Sequence, residues 1–307
     1  MSSSGWNLTG DALAETLFSG VAVGCKYALV ALGFVIVFKA TKVLNFAQAS
    51  FVLVGGFLCW QMAVTWELNF YVALLAAMVG GAVLGMVVEQ LLMRRLLGEP
   101  PFALIMLTVG VLYVLDNVTT AIWGPEDRGL QDPWGSRTVD LGAVNLAVAD
   151  LWTIGVTSAA LLAFYLFFGH SSLGLAMRAT ADDQEAALAV GIDARTVHRV
   201  SWAVAGALGA LAGIMLASGA GSVGPGLGLI ALVAFPAMIL GGLESPLGAV
   251  VGGLVIGMAQ QLTALLQPEF APWLGSGFER VAPYAIMVAI LLVRPYGLFG
   301  EREVRRI

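Results

Sequence analysis

Charge is what this sequence lacks most. Asp, Glu, Lys and Arg make up 11% of its 307 residues, where an ordinary soluble domain carries about 25%. Hydrophobic residues account for 59%, and mean hydropathy is +0.89. Such a chain belongs in a bilayer. Long apolar stretches from end to end leave little material for a separate soluble domain, so residues 12–300 read as one membrane domain between a polar segment 1–11 and a tail 301–307. Histidine occurs twice, as His170 and His198, at the edges of one hydrophilic loop. The sequence has no Cys-His or Ser-His-Asp cluster and no His-Glu-x-x-His motif, so an integral membrane enzyme finds no support. The two cysteines, Cys25 and Cys59, lie inside apolar runs without metal-ligand or redox spacing, and read as small buried hydrophobes. A Gly-x-x-x-x-Gly-Lys-Ser/Thr phosphate loop is also missing, so the chain has no route of that kind to ATP. Net charge of -5, with the 15 Lys and Arg scattered at the ends of apolar runs, argues against nucleic acid. The first eleven residues carry no basic side chain, and the apolar run behind them is too long for a cleavable signal peptide.

A hydrocarbon core of about 30 Å takes about 20 helical residues to cross. Apolar runs fall at about 12–38, 49–64, 70–92, 102–123, 151–168, 200–219, 229–241, 247–266 and 281–293. Several are too short for an upright span. The expected fold is therefore an all-α polytopic membrane protein of about eight or nine transmembrane helices, including broken or re-entrant segments. Basic residues collect in short cytoplasmic loops because cations resist translocation. Counting nine spans puts Lys39 and Lys42, Arg94 and Arg95, Arg178, Arg195 and Arg199, and Arg294, Arg302, Arg305 and Arg306 on one side. The other side receives Arg128 and Arg137, with Trp66, Trp123, Trp134, Trp152 and Trp273 as interfacial anchors. This predicts a multi-pass protein of a bacterial cytoplasmic (inner) membrane, with its N-terminus outside and C-terminus inside. Small-residue patterns at Gly206, Gly209 and Gly213, and at Gly248, Gly252 and Gly253, predict faces that meet other helices.

The hydrophilic loop 170–199 carries the clearest functional signal. Asp182 or Asp183 can cap a helix through Glu185, Ala186, Ala187, Leu188, Ala189 and Val190, and Gly191 suits the left-handed residue that ends it. Ala187, Leu188 and Val190 give it a short apolar face for another protein. About eight residues long, it needs a partner to hold it.

Glu185-Ala186-Ala187, followed after three residues by Gly191, resembles the EAA-x-x-x-G loop by which ABC importer permeases dock on their ATPase. Further segments resemble the LivH-type branched-chain amino acid permease family. They are Tyr27-Ala28-Leu29-Val30-Ala31-Leu32-Gly33, Asn45-Phe46-Ala47-Gln48, Leu173-Gly174 with Arg178-Ala179, Gly241-Gly242-Leu243-Glu244-Ser245 with Gly248-Ala249 and Gly252-Gly253, and Arg294-Pro295 with Gly297-Leu298-Phe299-Gly300. The resemblance runs from about Gly20 to Gly300. It implies a second, LivM-like permease chain, two ATPases (LivG-like and LivF-like) holding ATP and Mg, an extracytoplasmic solute-binding protein, and no cofactor in this chain. The solute it implies is a branched-chain amino acid or a related small polar molecule, since relatives import urea, amides and aromatic acids too. Two positions depart from the family: Ala49, where it carries Gly, and Lys26, where it carries an apolar residue.

Polar residues inside the apolar stretches are candidates for the translocation path: Lys26, Asn45, Phe46, Gln48, Ser50, Asp116, Pro236, Glu244 and Ser245. Residues 43–50 read either as a re-entrant, pore-lining element, with Asn45 capping the next helix, or as a plain cytoplasmic turn. Pro236 suggests a second broken helix, the device by which transporters aim helix ends at solutes. A charge at the middle of the first run costs at least about 2.5 kcal/mol, so Lys26 needs a partner. Asp116 and Glu89 are the nearest acids by depth; a solute carboxylate or snorkelling are the alternatives. The competing function is an ion-gradient-driven carrier or channel, for which Asp116 and Glu89 would have to relay ions.

Overall fold

A computed structural model describes residues 10–96, 99–140, 142, 144–275 and 277–300. In chain order the helices are α1 (Gly10–Thr41), α2 (Gln48–Trp60, continued by a π-helical turn Gln61–Thr65), α3 (Phe70–Leu91), α4 (Pro101–Trp123), α5 (Val148–His170) and α6 (Ser172–Asp182). There follow α7 (Gln184–Ala189), α8 (Ala194–Ala220), α9 (Leu227–Leu232), α10 (Ala234–Gly241), α11 (Pro246–Phe270) and α12 (Ala282–Val293). Seven of these, α1 to α5, α8 and α11, are long and apolar enough to cross a membrane. The expected run 229–241 is a pair, α9 and α10, interrupted at Val233. Pro236 accounts for the interruption, because a proline ring clashes with the carbonyl four residues earlier, here that of Leu232. The expected last run is the twelve-residue α12.

Two short antiparallel ribbons mark one end of the bundle. Strand β1 (Arg128–Gly129) pairs with β4 (Ser222–Val223), and β2 (Thr138–Asp140) with β3 (Asn145–Ala147). Phe70, Trp134 and Trp152 pack together there, with the two indoles stacked at 5.5 Å. Trp134 was expected at the membrane interface but is a packing residue: it is buried, and its indole N–H donates to Ser218 Oγ at 2.5 Å. The basic loops gather at the opposite end. Lys42 pairs with Glu244 at 2.5 Å, joining the links after α1 and α10, and Leu298 and Phe299 donate their N–H groups to the carbonyls of Leu240 and Gly241. The last segment thereby satisfies the C-terminal carbonyls of α10.

Helices α1 and α8 form the centre, with 83% and 78% of their spanning windows buried, against 17–33% for α3, α4, α5 and α11. The outer helices turn apolar stripes outward, such as Val72, Leu75, Val79, Val83, Val87 and Leu91 on α3. That face suits acyl chains. Between apolar helices in lipid there is no hydrophobic force, so association rests on close backbone packing over small residues. On α8, Gly206 meets Gly81 of α3 and Gly213 meets the Val52 carbonyl of α2. On the other side of the centre, Gly20 and Gly24 of α1 interlock with Gly253, Gly257 and Met258 of α11, and Gly252 of α11 abuts Ala237 of α10. A Cβ at Gly257 would collide with the backbone of Gly24. Gly257→Val should therefore destabilise the fold by about 1–3 kcal/mol through overpacking, read as a lower thermal midpoint in detergent. Gly155→Ala, where nothing lies within 4 Å of the added carbon, should leave it unchanged.

Candidate functional site

The link between α1 and α2 folds inward. Phe46 donates its backbone N–H to Thr108 Oγ1 at 3.2 Å, and Thr108 donates to the carbonyls of Leu44 and Ile105. Thr108 lies two turns into α4, about 10 Å from its start, so the link is recessed. Phe46 stacks on Phe235 of α10 at 5.6 Å, and Phe34 meets the same ring edge-on. Gln48 donates to the Ala205 carbonyl of α8 at 3.1 Å, and its amide occupies the space that a side chain at Gly33 would fill. Ser50 donates to Asp116 Oδ1 at 2.7 Å and to the Leu112 carbonyl at 3.1 Å. Non-helical backbone inside the bundle is tolerated because protein groups take up its polar atoms. The expectation that Asn45 caps α2 is corrected. Ala47 holds the cap position and no side chain bonds there, because the turn from Asn45 O to Gln48 N starts the helix two residues later. Asn45 is fully buried, and its side-chain amide has no partner among the described residues.

Lys26 finds its counterion elsewhere than expected. Its ammonium lies 3.9 Å from Asp150 Oδ1, against Gly219, with its side chain 7% exposed. Asp150 stands in the first turn of α5 and Gly219 in the last turn of α8. A helix start favours an anion and a helix end a cation, so both dipoles support the pair. Ser19 hydrogen-bonds Asp150 and accepts from Gln261 at 2.9 Å, extending the network to α11. Asp116 is instead held by Ser50, and Glu89 pairs with Arg94 at 3.4 Å at the basic end. By hydropathy Asp150 belonged to the polar loop; α5 starts at Val148 and carries it inward.

The remaining candidates have local structural work at the basic end. Ser245 caps α11 by accepting from Gly248 N at 3.0 Å, with Pro246 in the first turn, and Glu244 holds Lys42. Pro236 is buried in α10. In the loop 170–199, Arg178 donates to the Gly169 carbonyl and lies 5.7 Å over the Phe168 ring, fastening α6 to the end of α5. Asp183 caps α7 by accepting from Ala186 N, and Gly191 ends the turn at φ +88°. Helix α7 is six residues long. Its outward apolar face is narrower than expected. Leu188 and Val190 are 51% and 78% exposed, whereas Ala187 faces inward at 4%; Glu185 and Ala186 are exposed. Exposed Asp193 starts α8, and its carboxyl is held below the usual range by the Thr196 hydroxyl and by backbone N–H groups of Arg195 and Thr196.

Sequence reasoning missed an open cavity of about 660 Å³ at the ribbon end. Tyr27 and Gln260, hydrogen-bonded at 2.7 Å, line it with Tyr284, Asp127, Arg280 and the apolar Leu227, Ile230 and Val233. Polar Tyr27 and Gln260 inside apolar runs were the available signal. Of the proposed path residues Lys26, Asn45, Phe46, Gln48, Ser50, Asp116, Pro236, Glu244 and Ser245, none lines this cavity.

The described residues thus form a polytopic helical bundle with a recessed link, a broken helix and an exposed capped helix at one basic end. Residues 16–291 match the family described as branched-chain amino acid transport system / permease component, and the chain belongs to that family. It is 27% identical over 308 residues to the high-affinity branched-chain amino acid transport system permease protein LivH of Escherichia coli K12, covering 95% of this chain and 97% of that one. Identity is 25% to BraD of Pseudomonas aeruginosa, with the same coverage, and 28% over 284 residues to a probable LivH of Methanocaldococcus jannaschii, covering 89% and 88%. Among solved structures, PsaBC from Streptococcus pneumoniae in complex with Fab aligns over 95% of this chain and 93% of that one at 15% identity, with a TM-score of 0.45.

The Lys26 pair has a direct test. Removing one partner strands a buried charge, which costs more than removing both. Lys26→Met should lower the thermal midpoint, and adding Asp150→Asn should recover part of the loss. Adding Asp116→Asn to Lys26→Met should recover none of it.

Proposed function

We propose that this chain is the transmembrane permease subunit of a bacterial ATP-driven importer for branched-chain amino acids or related small polar solutes. It works beside a second permease chain, two ATPase subunits that bind ATP and Mg, and an extracytoplasmic solute-binding protein. Family membership supports the class, and the names of the relatives support the solute. One observation carries the coupling mechanism. The short helix α7 is capped by Asp183, closed by Gly191 and fastened through α6 and Arg178 to α5, yet it turns Leu188 and Val190 outward on the basic end. Exposed apolar side chains on a rigid, charged end suit a docking knob for another protein. Helix α8 follows directly and runs through the centre of the bundle. A push on α7 therefore reaches helices α1, α2 and α3, all packed on α8.

The basic end faces the cytoplasm in this reading, because the Lys and Arg clusters lie there. The N-terminus is then outside, the cavity beside Tyr27 and Gln260 opens to the exterior, and the C-terminal segment lies inside. Segments 1–9 and 301–307 lie outside the described residues.

Two measurements test the proposal. Leu188→Asp with Val190→Asp changes exposed positions only. It should leave insertion and thermal midpoint intact while uptake falls at least tenfold and ATP hydrolysis no longer responds to solute; unchanged uptake removes the docking role. Ala187→Asp is a poorer probe, since that residue is buried. For orientation, Ser136→Cys should react with an impermeant maleimide in intact cells and Gln184→Cys only after permeabilisation. Both positions are exposed, and the native Cys25 and Cys59 are buried. The opposite pattern would reverse the orientation.

A further inference from the structure

A small void lies at the basic end, where α1, α3, α4 and α8 converge. It offers about 20 Å³, and one water takes roughly 10–15 Å³ by that measure. Thr41, Glu89, Arg94, Leu104, His198 and Trp202 are among the residues that line it. Four buried polar atoms on these side chains have no partner among the described residues: Glu89 Oε1, Arg94 Nε, His198 Nε2 and Trp202 Nε1. Glu89 and Trp202 are 1% and 0% exposed, so bulk solvent does not serve them. An unmade hydrogen bond at such a place is destabilising, and native proteins rarely leave several together.

The chemistry of the four atoms defines what fits. Glu89 Oε1 is an acceptor, and the indole and guanidinium N–H groups are donors. The His198 ring bonds the Ala40 carbonyl. Since Nε2 is the unpartnered nitrogen, Nδ1 makes that bond and carries the proton, leaving Nε2 as an acceptor in the neutral ring. The side chains around the void therefore carry two acceptors and two donors that have no partner among the described residues. A metal cation is repelled by the two N–H groups, one of them on a guanidinium, and an anion by the Glu89 carboxylate. A neutral molecule with two O–H donors and two lone pairs matches all four.

We propose that a single ordered water occupies this void, donating to Glu89 Oε1 and His198 Nε2 and accepting from Trp202 Nε1 and Arg94 Nε. It joins the end of α3 to the first three turns of α8, the turns that follow the exposed α7 segment. This assignment stands on the void and its four atoms, independently of the transport reading.

The test is cryo-electron microscopy of the purified full-length chain in its native assembly, at a resolution that shows waters. The expected result is one peak within about 2.6–3.2 Å of all four atoms. An empty void, or a peak touching only one of them, overturns the proposal. Thermal midpoints give a second reading. His198→Leu and Trp202→Phe should each lower the midpoint, and the double change should lower it by less than the sum, because either one already loses the shared water. Fully additive losses would also overturn it. If neither variant folds, the map of the unaltered protein decides.

Discussion

The structure depends on how closely its helices can approach. In lipid, apolar side chains gain nothing by leaving one hydrocarbon environment for another, so helices hold together through backbone proximity and buried polar contacts. Here glycine supplies the proximity on both sides of the centre. Gly206 and Gly213 seat α8 against α3 and α2, while Gly24 and Gly257 seat α1 against α11. The two central helices are consequently the most buried, and every functional feature is arranged around them.

Polar groups are then placed where partners exist. The Lys26–Asp150 pair ties α1 to the start of α5 and the end of α8, with Ser19 and Gln261 extending it to α11. Ser50 and Asp116 tie α2 to α4, and Gln48 ties α2 to α8. The α1–α5 and α2–α4 contacts join helices that these glycine faces do not lock, whereas the α2–α8 and α1–α11 contacts reinforce glycine seams. The recessed link after α1 lies among these contacts, with Gln48 held by α8 and Phe46 stacked on Phe235 of α10.

Much of this was legible in the sequence, for identifiable reasons. Hydropathy located the long helices because length and apolarity are local properties, and the glycine patterns announced which faces would be in contact. Asp183 and Gly191 were readable because caps are set by neighbouring residues. Partnerships were harder. Asp150 looked like part of a polar loop, since hydropathy cannot tell the first turn of a helix from the segment before it. Asn45 looked like a cap, since composition does not say where a turn closes. Glu244 and Ser245 stood out as polar residues between apolar runs, and their contacts as ion-pair partner and cap needed the fold to appear. The cavity beside Tyr27 and Gln260 joins segments more than two hundred residues apart, beyond the reach of any local pattern.

The central claim is that ATP hydrolysis on partner subunits drives solute through this chain. Reconstitution of the assembled complex in liposomes, with radiolabelled leucine and the purified binding protein, tests it most directly. The account predicts accumulation that requires ATP on the side of the basic loops and the binding protein on the other, and that persists when ionophores collapse all ion gradients. Uptake driven by a proton or sodium gradient without ATP would contradict it.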